Sequence, residues 1–228
     1  ASASKYTGKT PKYIFMFIGD GMSYPQIQAT ADYYSALNDT NNNDILDSTK
    51  MLNFMTFPVA GSATTYDSTS FCPDSASTAT SLSTGHKTYS GTINMDETFT
   101  TKYETISEKL KDQYGYKVGI VTTVNLNHAT PAAYYAHQAS RNSYYDIGLQ
   151  MAESGFDYFA GGLVNKAEKE GEKSIYEVLE DNGYLVTNDR DTILSLNSAS
   201  GKVYAYTSTP QDSGSLTYRI DRQEGELS

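Results

Sequence analysis

The chain has 228 residues, of which 38% are hydrophobic and 19% charged, enough apolar material for one domain with a real core, or for one and a half smaller ones. Its net charge is −10 and no Lys/Arg cluster appears, so composition excludes the basic face of a nucleic-acid binder. No run approaches the roughly 18 apolar residues of a membrane span, and the single cysteine, Cys72, rules out an intrachain disulfide or a cysteine-rich zinc cluster.

The polar opening "ASASKYTGKTPK" is consistent with a trimmed, exported mature end, and equally with an expression scar. "KYIFMFIGDG", Lys12 to Gly21, reads as a strand buried on both faces and ending in a Gly-Asp-Gly turn. "YPQIQATADYYSAL" has helical character, with Ile27, Ala31 and Tyr34 spaced for one face, and "GSATTYD" reads as a short strand. In "PDSASTATSLSTGHKTYSG" only Leu82 is bulky between Asp74 and Gly85. This stretch predicts a helix with Asp74 as N-cap, Ser75 in the first turn and Gly85 closing the end.

"YETISEKLKDQYGY" predicts a helix closed by Gly115, and "KVGIVTTV" a second buried strand. "ATPAAYYAHQASR" predicts a helix with Thr130 as N-cap and Pro131 as first helical residue, running on to Arg141. A helix follows in "YYDIGLQMAESG", a strand in "FDYFAGG", a helix in "SIYEVLEDNGY" and a strand in "YLVTND". "NKAEKEGEK" reads as a solvated connection. Beyond Asn188 the pattern weakens, with "KVYAYTS" as one strand candidate. Strands alternating with helices argue an α/β fold with a largely parallel sheet. The expected organisation is one α/β domain over residues 1–228, less regular over 189–228.

Open α/β sheets bind ligands at the carboxyl ends of their strands, which makes Asp20 either a metal-binding carboxylate or an ordinary turn aspartate. The N-terminus of the Ser75 helix favours an anion, since free amides and the positive dipole end meet there. The competing reading is a capped, serine-rich packing helix. Ser75 lies in Asp-Ser-Ala, outside any Gly-x-Ser-x-Gly elbow, and none of His86, His128 or His137 can be paired with it as a base from sequence. Taken singly, Thr130 is a helix cap, His137 a structural histidine and Arg141 a cation at a helix end.

Read together and in order, "IFMFIGDGM", "PDSASTATSLSTGHKTYSG" and "VGIVTTVNLNHATPAAYYAHQASR", followed by "FAGG", resemble the alkaline phosphatases. The resemblance covers Tyr13 to about Gly162. The wider superfamily includes sulfatases, nucleotide pyrophosphatases and phosphoglycerate mutases, but the sulfatase Cys-x-Pro-x-Arg pattern is absent, since Cys72 is followed by Pro73-Asp74-Ser75. The implied fold is a three-layer α/β/α arrangement. The implied reaction is hydrolysis of phosphate monoesters through a phosphoserine on Ser75, assisted by two zinc ions and one magnesium ion.

On matching positions, the resemblance makes Ser75 the nucleophile and a zinc ligand, and Arg141 the guanidinium holding the phosphate oxygens. Asp74 would orient Arg141, Asp20 would bridge a zinc and the magnesium, and Thr130 would be a magnesium ligand. His128 stands where family members carry either aspartate or histidine, near the third metal site. Implied partners are small phosphomonoesters and inorganic phosphate. Family members are typically exported, to the periplasm or outside the cell, and often homodimeric. The family draws most zinc ligands from the second half of a longer chain, and no histidine follows Gly162 here. The expectation is therefore an N-terminal portion that stops in mid-fold and is inactive alone. The alternatives are a non-catalytic α/β fragment, a phosphate-binding module, or a phosphodiesterase of the same superfamily.

Overall fold

The computed structural model describes residues 10–40 and 51–226. The polar N-terminal stretch behind the export expectation lies, as far as Lys9, outside the described residues. The chain divides into two compact units, Ala1–Ser62 and Ala63–Ser228.

In the first unit, helix α1 spans Tyr24–Leu37. Ser23 and Gln26 form a capping box at its start, with Pro25 in the first turn where its missing N–H costs nothing. Ala31 and Ser35 are its buried residues, so the predicted face is buried only at its small members. A short 3₁₀ turn covers Asn53–Thr56. The predicted strand over Lys12–Gly21 does not form: Tyr13 to Ile18 carry no strand pairing and their side chains are exposed. Apolar content makes a strand favourable only where a second backbone edge satisfies its N–H and C=O groups, and among the described residues none pairs with it. The Gly-Asp-Gly turn does form, with the Met22 amide donating to Gly19 O at 3.1 Å and Gly21 at φ 68°. "GSATTYD" is likewise not a strand.

The second unit is built on four parallel strands: β1 (Gly119–Val121), β2 (Tyr158–Gly161), β3 (Tyr184–Thr187) and β4 (Lys202–Tyr206), in the order β1-β2-β4-β3. Parallel pairing requires crossovers, and helices supply them. Between β1 and β2 lie α4 (Ala129–Ala132) and α5 (Tyr144–Glu153). Helix α6 (Ile175–Asp181) joins β2 to β3, and α7 (Arg190–Ser195) joins β3 to β4. Before the sheet come α2 (Ser75–Thr84) and α3 (Ile106–Tyr114). Thr105 and Glu108 form a capping box on α3, and Gly115 ends it in the left-handed region at φ 68°. Helix α7 was not expected. Its signal is local, since Asp189 caps it by accepting from the Thr192 amide.

Tyrosines do much of the core packing. Tyr135 and Tyr184 are buried against Phe159, and Tyr204 is buried beside Tyr176 and Tyr206. Each hydroxyl donates to a backbone carbonyl: Tyr135 to Leu126 O at 2.6 Å, Tyr184 to Phe156 O at 2.8 Å and Tyr204 to Gly162 O at 3.0 Å. A phenol is therefore buried without an unsatisfied polar atom, and burial drives the Tyr135 and Tyr204 pKa values well above the ordinary phenol value. The expected burial of β1 is corrected: it is a three-residue edge strand, with Val121 72% exposed.

Candidate active site

Beyond the carboxyl ends of β1, β2 and β4 the connecting loops are knitted together by main-chain hydrogen bonds. The Gly162 amide donates to Val124 O, the Leu126 amide to Leu163 O, the Thr207 amide to Gly161 O and the Leu216 amide to Thr123 O. Gly161 has φ 151°, and a Cβ there would lie 2.2 Å from Thr122 O. The close approach of β2 to the loop after β1 therefore demands glycine. Buried Asn127 holds the same loop, donating to Tyr144 O and Asn165 O and accepting from the Asn165 amide. This scaffold presents His128.

Helix α2 packs by being small. Ala76, Ser77, Ala79, Thr80 and Ser83 are buried while Leu82, its one bulky side chain, is 54% exposed. Asn94, fully buried, ties the helix to the segment after α4. Its amide donates to Thr80 Oγ1, its carboxamide oxygen accepts from Ser83 Oγ, and its Nδ2 donates to Ala133 O and Ala136 O, both at 2.8 Å. Gly85 closes α2 at φ 78°.

Asp74 caps α2, accepting from the Ser77 amide at 3.1 Å, and so sets Ser75 as the first helical residue. The same carboxylate accepts from the Gly91 amide at 3.0 Å and from Arg141 Nη1 at 2.8 Å. Burial works to raise the Asp74 pKa, but Gly91, Arg141 and Ser77 together hold it below the ordinary carboxylate value. The Arg141 backbone is fixed as well, its amide donating to Gly91 O at 2.7 Å. Arg141 Nη2 reaches His128 Nε2 at 3.3 Å. A guanidinium can only donate, so Nε2 is the acceptor in this contact.

The structure thus brings Asp74, Arg141 and His128 into one contact chain beside Ser75. Two expectations about this segment are corrected. His128, not Thr130, is the N-cap of α4, and Thr130 is its second residue. The turn from Asn125 to His128, closed by a 3.0 Å hydrogen bond, has already bent the chain into the helix. Nor does α4 reach Arg141: it ends after four residues, and Arg141 stands in the connection to α5, held by Gly91 rather than by a helix end. His137 has the structural role expected of it. Its Nδ1 faces Asn94 O at 3.2 Å and its Nε2 faces Glu108 Oε1 at 2.8 Å. Asp20 belongs to the Ala1–Ser62 unit, in its Gly19–Gly21 turn.

Sequence reading passed over Asp67, Ser77, Gly91 and Asn94. "Asp-Ser-Thr-Ser" and "Ser-Gly" are visible turn signals, but nothing local marks Asn94, whose partners lie between 11 and 42 residues away.

Among the described residues no three His, Cys, Asp or Glu side chains converge as a metal site. Beside Asp74 the candidate ligands are the Ser75 hydroxyl and His128, whose Nε2 lone pair is turned to Arg141, while both Asp74 oxygens are engaged; Thr130 stands in α4. By themselves these residues do not make a zinc or magnesium site. Among the described residues no helix is long and apolar enough to cross a membrane.

The alkaline phosphatase family model matches residues 11–203, past the sequence motifs and through the start of β4. The tissue-nonspecific alkaline phosphatase isozyme of Gallus gallus is 35% identical over 165 residues, 68% of this chain and 31% of that protein. A cold-active alkaline phosphatase from the psychrophile Shewanella sp. superposes with TM-score 0.68 at 27% identity, over 90% of this chain and 47% of that one. An alkaline phosphatase from the Antarctic bacterium TAB5, in a variant with one histidine changed to aspartate and Mg bound in its M3 site, gives TM-score 0.61 at 27% identity, over 78% of this chain and 49% of that one. The chain spans about a third of the chicken relative and about half of these two structures. With the Asp74–Arg141 pair at the head of α2, the parallel sheet and a match over most of its length, the chain belongs to the alkaline phosphatase family.

Proposed function

We propose that the chain carries the nucleophile-bearing part of a phosphomonoesterase, in which Ser75 attacks phosphorus and is transiently phosphorylated. The observation that carries this reading is the 2.8 Å Arg141–Asp74 ion pair at the N-terminus of the ten-residue helix that Ser75 begins. A dianionic phosphoryl group needs fixed positive charge where its equatorial oxygens sit. Arg141 supplies a planar fork of donors, and the first-turn amides and dipole of α2 supply the rest. Asp74 stops the guanidinium from swinging away. In-line attack by Ser75 Oγ forms an Oγ–phosphorus bond as the ester's phosphorus–oxygen bond breaks, and the alcohol departs carrying a proton that balances the one the serine hydroxyl gives up. Water then cleaves the phosphoserine, releasing inorganic phosphate and the free serine.

Family membership suggests two zinc ions and one magnesium ion; in the Ala63–Ser228 unit the residues that would face them are Ser75, Thr130 and His128, and Asp20 is the metal-binding carboxylate proposed for the Ala1–Ser62 unit. Bound metals of this kind supply Lewis-acid stabilisation of the attacking and leaving oxygens. The substrates in this reading are small phosphomonoesters, and the setting that family membership suggests is an exported, homodimeric protein.

The test is hydrolysis of an aryl phosphate at alkaline pH by the full-length protein, with phosphopeptide mapping after an acid quench. Ser75→Ala should lower kcat by about 10³-fold or more and remove the phosphopeptide. Activity that survives this substitution would end the proposal.

A further inference from the structure

One buried charge has no part in the reading above. Asp67 is 5% exposed, and among the described residues no cation lies within ion-pair distance of it. Five hydrogen bonds compensate it instead. One oxygen accepts from the Thr69 amide at 2.7 Å, the Thr69 hydroxyl at 3.0 Å and the Ser70 amide at 2.6 Å. The other accepts from the Ser77 hydroxyl at 2.8 Å and from the Ser90 hydroxyl. Burial pushes the Asp67 pKa up, but the bonds from Ser90, Thr69 and Ser77 outweigh it and hold the group far below the usual carboxylate range.

Both side-chain partners on the second oxygen lead to the candidate site. Ser77 Oγ lies 2.9 Å from Asp74 Oδ1, so a single hydroxyl stands between two carboxylates and its one proton serves one of them at a time. Ser90 precedes Gly91, whose amide donates to Asp74 and whose carbonyl accepts the Arg141 amide. An unpaired carboxylate is an expensive way to fill space, since burying a charge costs far more than burying an apolar side chain of similar size. The placement makes sense if the charge fixes the two groups that fix Asp74.

We propose that Asp67 is a positioning residue for phosphate binding: through Ser77 and Ser90–Gly91 it holds Asp74, and through Asp74 the guanidinium of Arg141. The proposal rests on the reading of Arg141 as the phosphate-binding arginine.

The test is a double-mutant cycle on the full-length, metal-loaded protein, reading the Kd of inorganic phosphate by calorimetry beside the thermal midpoint. Arg141→Ala should weaken phosphate binding. Asp67→Ala should weaken it about tenfold, the scale of one lost charge-assisted hydrogen bond. In the Arg141→Ala background the same change should have no further effect, because the route to phosphate is already cut. Asp67→Asn should stay within about threefold of wild type: its carboxamide can still hydrogen-bond the Ser77 and Ser90 hydroxyls and so keeps both in place.

An Asp67→Ala effect of equal size in both backgrounds, or none in either, overturns the proposal. If Asp67→Ala does not fold, Ser77→Ala takes its place in the cycle, with the same expected silence in the Arg141→Ala background and the same overturning result. A phosphate Kd unmoved by Arg141→Ala would instead defeat the underlying reading of the arginine, and the proposal with it.

Discussion

The bulkiest apolar run of the chain and its least bulky helix have opposite fates. In Tyr13–Ile18, Phe15 is 79% and Phe17 86% exposed, whereas in α2 Ala76, Ser77 and Thr80 are completely buried. Transfer free energy alone predicts the reverse. The difference is in partners. The run has no strand partner among the described residues, while α2 has Asn94, Gly91 and the segment from Ala129 to Arg141 fitted closely around its small side chains. Burial follows from a surface that can receive the side chain, and small hydroxylated residues are received wherever each hydroxyl meets an oxygen.

The largest effect is expected where smallness is absolute. Gly161→Ala puts a methyl group against a carbonyl oxygen at a backbone angle only glycine favours. We expect a loss on the order of 3 kcal/mol or more in chemical denaturation. A loss under 1 kcal/mol would mean that the loops beyond β1 and β2 are less tightly closed than they stand here. Next comes α2 itself. Ala79→Leu adds three carbons at a position 2% exposed and should cost about 1–3 kcal/mol by overpacking, whereas Leu82→Ala on the same helix should stay within about 0.5 kcal/mol.

Helix α3 lies between the extremes, half-buried through Glu108. Burial opposes the Glu108 charge, but His137 and the Thr105 amide outweigh it and hold the carboxyl below its ordinary value of 4.5. Because the folded pKa is depressed, this stabilisation is complete above about pH 4.5 and fades as pH falls through the folded value. The gap in thermal midpoint between wild type and Glu108→Gln should therefore be widest at neutral pH and close below pH 4.5. An equal gap at pH 3 and pH 7 would assign the effect to packing. The smallest effect is expected in the apolar run, where Phe17→Ser in the 228-residue chain should change stability by no more than about 0.5 kcal/mol. A loss well above that would show that the run has found a surface after all.

Much of this organisation was legible locally. Capping residues and left-handed glycines act within one turn of chain, so Asp74, Gly85, Thr105 and Gly115 are readable as punctuation. The alternation of strand and helix is equally local, and it carried the parallel α/β fold. The errors arose where a second segment decides. Strand formation in Lys12–Gly21 and in "GSATTYD" depends on a pairing edge, and the burial of β1 on its place at the edge of the sheet. The start of α4 was misplaced because the Asn125–His128 turn outranks the usual preference for proline at the first helical position.

The amino-acid sequence by itself determined the family and the identity of the candidate side chains, because Ser75, Asp74, His128, Thr130 and Arg141 stand in long ordered motifs. Tertiary structure alone decided how they are held. The Asp74–Arg141 pair joins residues 67 positions apart, and the support behind it, Asp67 through Ser77 and Ser90, closes over 10 and 23 positions. Hydrogen bonds across such separations leave no periodicity in the chain, since their geometry exists only once α2, the Gly91 turn and the segment after α4 are packed together.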